Sequence, residues 1–422
     1  MPTRLWNCVL VVTAMAAMAT SGVLMPSFTQ AKEEMLTFDL DRIIELALER
    51  NPAILRAKSV IDENEGMRTQ AGAYPNPTIG GQTGSGALRD PSTGPRVSEY
   101  GMTLQQTVEW PGMRAARQDA ADAGLSGATV GLDEAKLNLI AEVKGIFYEL
   151  LLAERTVDLL QQNLEIVQEV ARIVRARVRS GEGPQFEAVK ADVEVLKAKQ
   201  EMTKAKNAVR VKLVALDTLT SGALGFRYKV QGDFRSLRDH LDPERLAARD
   251  LSQHPVIKRQ SKLVEQAEFT VTKERQGRVP NVTLFGAYAR ETGREGVVAG
   301  VSLPTPIWYR QQGHIAAALG TQRKEEAELV RTRNELTRAI NQHAREAETA
   351  QEQILVYEEG LIKQAQEALR IAQLSFRQGA SSLLDVLDAQ RVQRQITVDY
   401  NQARFELSLA LTRFERAVGG SL

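Results

Sequence analysis

The chain carries the same landmarks twice, at a nearly constant separation. Each half ends in a related segment, RVRSGEGPQFEAVKADVE in the first and LSFRQGASSLLDVLDAQR in the second. A unit of this length is a domain-sized half, not one turn of a solenoid. We therefore predict two structural repeats, at residues 32–232 and 233–422. The separations of 198, 203 and 201 residues belong to three matching pairs: Gly181 and Gly379, Pro52 and Pro255, and Gly112 and Gly313.

The first 31 residues have the pattern of a secretory signal peptide. Arg4 gives a positive start, an apolar run extends from Val9 to Ala19, and Ala31 ends a small-residue cleavage site. An uncleaved anchor is the alternative, but Pro26 and polar residues follow a run that is already short for spanning a bilayer. We therefore predict that residues 1–31 are removed on export.

The composition excludes several classes of function. There are 54 basic and 53 acidic residues, so the net charge of +1 gives no sign of a nucleic-acid partner. Four histidines and one cysteine leave little material for metal or nucleophile chemistry. No phosphate loop, zinc motif or nucleophile motif is present. The sequence thus predicts no enzyme, with no catalytic residue, no cofactor and no firm metal site.

The first repeat contains the pattern of a very long helix. Neither proline nor a cluster of turn residues interrupts the segment from Met113 to Arg179. One helix of about 100 Å is therefore expected. Apolar residues recur along it at steps of three or four, which indicates a coiled-coil seam. The predicted seam comprises Leu139, Val143, Ile146, Leu150, Ala153, Val157, Leu160, Leu164, Val167, Ala171, Val174 and Val178.

A glycine-containing turn ends each long helix, and a second helix returns antiparallel to it. In the first repeat the turn covers residues 180–184 and the return helix runs to about Thr220. In the second repeat one helix is predicted over residues 313–377, with a turn at 379–381 and a return helix from 382. His343 falls on the apolar stripe of that second long helix. A hydrogen-bonded histidine is favoured there over a metal ligand, because no second ligand lies one turn away.

Strand-like segments precede each helical hairpin. From Ser98 to Trp110 apolar and polar residues alternate, with aromatic residues at both ends, which is the pattern of a transmembrane barrel strand. Three further strands are predicted at residues 77–84, 281–290 and 297–303. A soluble hairpin packed on the helices is the alternative. The barrel is favoured because helices so long and thin cannot cover two hairpins.

Four strands cannot close a barrel, since membrane barrels have at least eight. Open strand edges are not tolerated in lipid, where unpaired backbone groups find no water. Other copies of the chain must therefore complete the barrel: two copies give eight strands, and three give twelve, which can leave a lumen. Glu109 and Gln105 are expected to line its interior. Trp110 and Trp308 are expected at the inner membrane boundary.

Duplicated strand pairs and helical hairpins of this kind resemble the TolC family of outer-membrane efflux channels. The resemblance rests on TLQQTVEWPGMRAAR, VSLPTPIWYRQQGHIAAA and SFRQGASSLLDVLDAQR, and it covers residues 36–422. The first two motifs are similar to the CzcC-type branch, which serves heavy-metal efflux. The resemblance implies a mainly α fold with transmembrane β, in which a homotrimer forms a 12-stranded barrel continuing into an α-helical tunnel. It also implies the outer membrane of a Gram-negative bacterium, a periplasmic adaptor (membrane fusion) protein and an inner-membrane RND pump.

The resemblance assigns the two turns to adaptor docking. Glycine at each turn also has a sufficient structural reason, because a helix commonly ends in a left-handed residue. Both roles are compatible. The predicted docking residues are Ser180, Gly181, Gly183, Gln378, Gly379, Ala380, Ser381 and Ser382.

Asp385 and Asp388 stand three residues apart at the start of the last helix, so they share one face. A structural role is sufficient for them, because the helix dipole stabilises carboxylates at this end. The family carries an aspartate pair here, and threefold symmetry would make six carboxylates, a ring that favours cations. Their repulsion is expected to raise some of their pKa values. The matching residues of the first repeat are Glu187 and Lys190, and Lys190 could pair with Asp388 at a closed gate.

Three functions were compared. The leading one is a passive exit duct of a tripartite RND-type efflux system, carrying divalent heavy-metal cations. The second is an outer-membrane channel for multidrug efflux or type I protein secretion. The third is a periplasmic coiled-coil scaffold or adaptor, which would have no lipid-facing strands. The alternation from Tyr100 to Trp110 speaks against the third.

Overall fold

A computed structural model describes residues 36–87, 94–225, 227–237 and 251–420. The predicted signal peptide, residues 1–31, lies outside the described residues, as do residues 88–93 of the first strand-connecting loop. Within the described ranges no helix is long and apolar enough to cross a membrane. The first repeat contains β1 (Leu36–Asp39), α1 (Leu40–Arg50), α2 (Pro52–Gly72), β2 (Thr78–Ala87), β3 (Arg96–Val108), α3 (Pro111–Arg179), α4 (Gln185–Leu219) and β4 (Tyr228–Gln231).

In the described residues of the second half, the order from α2 to α4 occurs again, with one break in the long helix. A 3-10 turn at Leu251–Gln253 precedes the first helix of this repeat. Pro52 and Pro255, which are 203 residues apart, are the first residues of α2 and α5. Proline is favoured at the first position of a helix. The elements are α5 (Pro255–Gln276), β5 (Val282–Glu291), β6 (Arg294–Ser302), α6 (Gln312–Val356), a π-helical turn (Tyr357–Leu361), α7 (Ile362–Arg377) and α8 (Leu383–Val418).

The four longer strands form one antiparallel sheet in the order β2-β3-β5-β6. The register places Leu104 between Ile79 and Gly286, and Tyr288 between Met102 and Val297. Large apolar side chains therefore share one face, because successive residues of a strand point to opposite sides. All of them are exposed in the single chain: Ile79, Met102, Leu104, Val108, Leu284, Val297 and Val301.

The opposite face of the sheet is polar and small. Thr107 and Thr283 lie in register on it, with their hydroxyl oxygens 3.3 Å apart. Phe285 and Val298 are the apolar exceptions in β5 and β6. The ring of Phe285 covers Gly300 on β6, where a side chain would collide with it, and Val298 is exposed. The other polar-face residues include Thr78, Gln82, Thr103 and Gln105.

Aromatic residues mark both ends of the apolar face. Tyr100 and Tyr288 lie side by side near the far end, with ring centroids 6.2 Å apart. Trp110 and Trp308 follow the strands at the end that joins the helices. The ten residue steps from Tyr100 to Trp110 cover about 33 Å of extended chain. In a strand tilted by about 40° this length spans about 25 Å across the bilayer, the height of the apolar band in membrane barrels.

The junction between sheet and helices is held by arginines of α3. Arg117 donates to the carbonyl of Ala71 at the end of α2 (2.9 Å) and forms a two-pronged ion pair with Glu109 (2.5 and 2.9 Å). Arg114 donates to the carbonyl of Gly72 (2.7 Å). The expectation that Glu109 lines the barrel interior is therefore wrong, since its side chain is buried against Arg117. The strand ends before Glu109, so the alternation no longer sets its direction.

The long helix α3 has the predicted length, 69 residues, and Trp110-Pro111 marks its start. The predicted seam is correct at both ends but shifts in the middle, where Leu159 and Asn163 are buried and Leu160 and Leu164 only partly so. An α-helix drifts by about 20° per heptad against a strict seven-residue repeat. The stripe also serves several neighbours, since α3 packs against α2, α4, α5 and α8.

The second long helix is interrupted, in contrast to the single helix predicted over residues 313–377. A π-helical turn, Tyr357–Leu361, separates α6 from α7 and contains Gly360. A π-turn inserts a residue into the helical repeat. Tyr357 lies edge-on against Tyr400 of α8, whose hydroxyl donates to Glu358 (2.8 Å). His343, one of the expected polar residues on the stripe, is hydrogen-bonded to Glu346 as predicted (2.8 Å).

The largest apolar cluster lies where a second, small sheet meets the long helix. Strands β1 and β4 pair in parallel, Leu36 opposite Tyr228. Phe147 and Tyr148 of α3 are fully buried against them and against α1. The β1–β4 pair was not predicted, because two four-residue strands leave too short a pattern to recognise.

The two helical hairpins are joined by a buried amide pair. Asn163 of α3 accepts a hydrogen bond from Gln390 of α8 (2.5 Å), and both side chains are buried. Any slip of one helix along the other would leave two amides without partners, at a cost of about 1–3 kcal/mol each. Such a polar pair in a coiled coil fixes its register.

We expect Asn163→Leu to lower the free energy of unfolding by about 1–3 kcal/mol, because it leaves the buried amide of Gln390 without its hydrogen-bond partner. The double variant Asn163→Leu/Gln390→Leu should recover most of this loss. Urea unfolding of the detergent-solubilised protein measures both. Gln161→Leu, two residues away on the exposed side of α3, is the matched control. Additive losses in the double variant would show that the pair does not act as a unit.

Candidate functional site at the helical tips

The two tips that connect α3 to α4 and α7 to α8 have the same backbone structure. Gly181 and Gly379 both adopt the left-handed conformation, with φ of 79° and 77°. The amide of the following residue donates to a carbonyl five positions back, from Glu182 to Arg177 (2.9 Å) and from Ala380 to Ser375 (2.8 Å). This is the Schellman arrangement that ends a helix. The glycine role expected from the sequence is therefore present at both tips.

The remaining predicted docking residues surround these glycines. Ser180 and Gln378 are the C-cap residues that directly follow α3 and α7, and the Ser180 hydroxyl donates to the carbonyl of Arg177 (3.0 Å). The hydroxyl of Ser381 points back to the carbonyl of Ala372 (3.4 Å). Gly183 precedes the start of α4 in an ordinary backbone conformation. The structure thus brings each predicted set together at its own tip.

Asp385 is part of a capping box at the start of α8. Its carboxylate accepts from both the backbone amide and the hydroxyl of Ser382 (2.8 Å each), and its own amide donates to that hydroxyl (3.3 Å). The hydrogen bond from the Ser382 hydroxyl is the main cause that lowers the pKa of Asp385, and the bond from the Ser382 amide lowers it further. Within one chain the carboxylate is therefore ionised more readily than usual. Any rise in this pKa requires charges from further copies.

Asp388 is paired within its own helix. Its carboxylate lies 2.5 Å from the guanidinium of Arg391, one turn further along α8. Lys190, the partner considered from the sequence, lines the same groove between α4 and α8, a space of about 430 Å³. Glu187 sits in the first turn of α4, at the position that matches Asp385. Sequence reasoning missed Arg391, although a base three residues after an acid on a helix is a recognisable signal.

Sequence reasoning also missed an apolar residue at each tip. Phe186 and Leu384 each stand five residues after a tip glycine, on the first turn of the return helix. Their exposed fractions are 72% and 60%. Exposed apolar side chains beside polar ones are typical of contact surfaces. The matching position in both repeats was the available signal.

The described residues offer no ready-made metal site. No group of three or more His, Cys, Asp or Glu side chains in these ranges is arranged to hold an ion. The tips present turns, exposed apolar residues and carboxylates that are bonded to neighbouring residues of the same chain. This arrangement can bind another protein surface or line an opening, and it contains no nucleophile paired with a base.

Comparison with known proteins gives a family match over most of the chain. The family model described as outer membrane efflux protein matches residues 43–222 and 246–420. The cobalt-zinc-cadmium resistance protein CzcC of Cupriavidus metallidurans is 26% identical over 408 residues, which cover 96% of this chain and 95% of CzcC. The pyoverdine export outer membrane protein OpmQ of Pseudomonas putida is 25% identical over 408 residues, covering 90% and 86%.

A solved structure shows the same fold. The CmeC outer membrane channel of Campylobacter jejuni superposes with a TM-score of 0.76 at 18% sequence identity, covering 91% of this chain and 86% of CmeC. The arrangement of a short-stranded sheet above long helical hairpins is therefore that of a known channel fold.

We expect Gly379→Ala and Gly181→Ala to destabilise their tips by about 1–2 kcal/mol, because the left-handed conformation is sterically strained for alanine. No atom crowds either glycine, so the effect comes from the backbone alone. Hydrogen exchange at the amides of Ala380 and Glu182 should speed up about 5–30-fold. Gly183→Ala is the control, since that glycine lacks the left-handed conformation and has only ordinary contacts. Equal acceleration by the control would contradict this assignment.

Proposed function

The chain belongs to the outer membrane efflux protein family, and we propose that three copies form the exit duct of a tripartite efflux system that exports divalent heavy-metal cations. The duct is passive and is not an enzyme. One observation carries the channel: a four-stranded sheet with an apolar outer face is joined directly to α3, a helix about 100 Å long. A sheet of this kind faces lipid, and helices of this length reach well beyond a membrane.

The open edges of the sheet support assembly from several copies. The strands alternate in direction from β2 to β6, so β6 of one copy can pair antiparallel with β2 of the next. A head-to-tail contact of this type closes into a ring. Three copies would supply twelve strands and a lumen, while two would supply eight and a filled interior. Threefold closure is therefore the form that suits a conduit.

The helical tips are the proposed contact with a periplasmic adaptor protein, which in turn joins an RND pump of the inner membrane. Both tips present a rigid turn with an exposed apolar side chain, Phe186 or Leu384, one turn below it. In a trimer six such tips would surround the periplasmic opening. Asp385 and Asp388 would then lie near the opening as a ring that favours cations.

The metal cargo is proposed from the likeness to the cobalt-zinc-cadmium resistance protein, which extends over nearly the full length of both chains. The likeness to a pyoverdine export protein supports pyoverdine as a second cargo. A wide duct need not bind its cargo, so the absence of a metal cluster in the described residues does not distinguish the two. Growth experiments can.

We expect Leu104→Arg to block insertion into the outer membrane, because a charge at the middle of the lipid face costs about 2–4 kcal/mol per copy. Gln105→Arg, the next residue in sequence, points to the opposite face and should be tolerated. The measurement is the amount of heat-resistant oligomer in purified outer membranes. Loss of the oligomer with Gln105→Arg but not with Leu104→Arg would reverse the assignment of the two faces.

Cargo is tested in a strain that lacks this chain and redundant channels. Growth is measured on zinc, cobalt, cadmium and copper, on bile salts and antibiotics, and under iron limitation. We expect sensitivity to one or more of the metals alone, restored by the wild-type gene but not by the Leu104→Arg variant. Sensitivity confined to drugs and detergents, or to iron limitation, would refute the metal cargo and leave the channel in place.

A further inference from the structure

Each repeat has a side chain that ties the start of one helix to the end of another. In the first repeat this residue is Asn51, directly before Pro52 of α2. Its side-chain oxygen accepts from the amide of Ala53 (2.8 Å), and its side-chain nitrogen donates to the carbonyl of Leu219, the last residue of α4 (2.8 Å). One amide group thus caps α2 and holds α4 at the same time.

In the second repeat the same two bonds are made by a histidine. His254 directly precedes Pro255 of α5. Its Nδ1 accepts from the amide of Val256 (3.2 Å), and its Nε2 lies 3.1 Å from the carbonyl of Arg416 near the end of α8. Because Nδ1 accepts a hydrogen bond from the backbone amide of Val256, the ring proton must be on Nε2, which donates to the backbone carbonyl of Arg416. Only the neutral ring with this tautomer can make both bonds.

The ring of His254 has no room to turn away. Only 4% of the residue is exposed. It packs against Gly419, which has a left-handed φ of 86°, and a side chain on that glycine would come within 2.8 Å of the ring. A ring that is buried against Gly419 and bonded through both nitrogens cannot exchange its helix contacts for water while the junction stays closed.

The charges around His254 do little to favour a cation. On α3, Glu134 faces the ring but is paired with Arg259 of α5 (2.5 Å). On α8, the positive charge of Arg416 disfavours protonation of the His254 ring. The guanidinium of Arg416 donates to the side-chain oxygen of Asn138 (2.7 Å). Burial is the main cause that lowers the pKa of His254, ahead of these charges. The neighbouring Glu415 of α8 is already bonded to Lys144 and Arg235 (2.7 and 2.8 Å).

We propose that His254 is an acid-labile clasp between α5 and α8, whereas its counterpart in the first repeat, Asn51, is insensitive to acid. A proton added at Nδ1 turns the acceptor into a donor that faces the amide of Val256, so the cap of α5 is lost. Asn51 makes the equivalent bonds with a group that does not titrate. Acid therefore loosens the second repeat at the junction of α5 and α8 while the first repeat stays closed. This holds whatever cargo the channel carries.

The direction of the pH dependence follows from proton linkage. The folded pKa of His254 lies below its unfolded value of about 6.5, so the unfolded chain binds the proton more readily. The stabilisation from the clasp is complete above the unfolded value and is lost as the pH falls through the folded pKa. Between these two values the opening equilibrium rises by up to about tenfold per pH unit, since one proton is taken up.

Hydrogen exchange on the full chain in detergent tests the clasp. Protection factors are measured between pH 8 and pH 5 for peptides covering residues 255–260 and 412–419. The wild type should lose protection there by up to about tenfold per pH unit below 6.5. Peptides around residues 51–55 serve as the internal reference and should keep theirs. His254→Asn copies the first repeat and should remain protected throughout. His314→Asn, at an exposed histidine, should behave like the wild type.

Two results would overturn the clasp. One is a wild type whose protection at residues 255–260 does not fall with pH relative to the internal reference. The other is a His254→Asn chain that loses protection just as the wild type does. If His254→Asn does not fold, the comparison within the wild type between the two junctions decides alone. A pH-dependent loss confined to the second junction supports the clasp, and an equal loss at both opposes it.

Discussion

The backbone groups along the outer edges of β2 and β6 set the constraint on which the rest of the architecture depends. Within the described sheet these two strands have a neighbour on one side only. A face of apolar side chains such as Leu104 and Val301 belongs in lipid, where an unpaired amide or carbonyl costs several kcal/mol. The chain therefore cannot be complete as one copy. The bonds of Arg117 connect the sheet firmly to α3, and the length of α3 extends the structure away from the membrane.

Below the sheet, the alignment of the helices depends on a few buried polar bonds. Apolar seams between long helices can fit together in more than one register, because apolar side chains do not require a specific partner across the seam. The Asn163–Gln390 pair admits one register. The capping side chains of Asn51 and His254 act at the other ends of the hairpins, where they join the ends of α4 and α8 to the starts of α2 and α5. Apolar packing supplies most of the stability, and these bonds select the alignment.

The sequence predicted most of the architecture because its signals are long. A helix of 69 residues and the strand from Ser98 repeat their pattern often enough to be read without an alignment, and glycine at both tips fixed the turns. The misses are short or depend on distant residues. Gly360 alone did not indicate a π-turn, and four residues are too few to show that β1 pairs with β4. Glu109 was placed wrongly because its partner, Arg117, determines its direction.

The two tips share a backbone fold but almost no side chains. Ser-Gly-Glu-Gly-Pro and Gln-Gly-Ala-Ser-Ser have only the left-handed glycine in common, and their defining hydrogen bonds run between main-chain atoms. Because each turn depends on its glycine and on main-chain bonds, the neighbouring residues of a tip can be exchanged without endangering the turn. The surfaces of the two tips can therefore differ while their backbones stay the same. The proposed adaptor contacts can change by substitutions that leave the folding of the tips untouched.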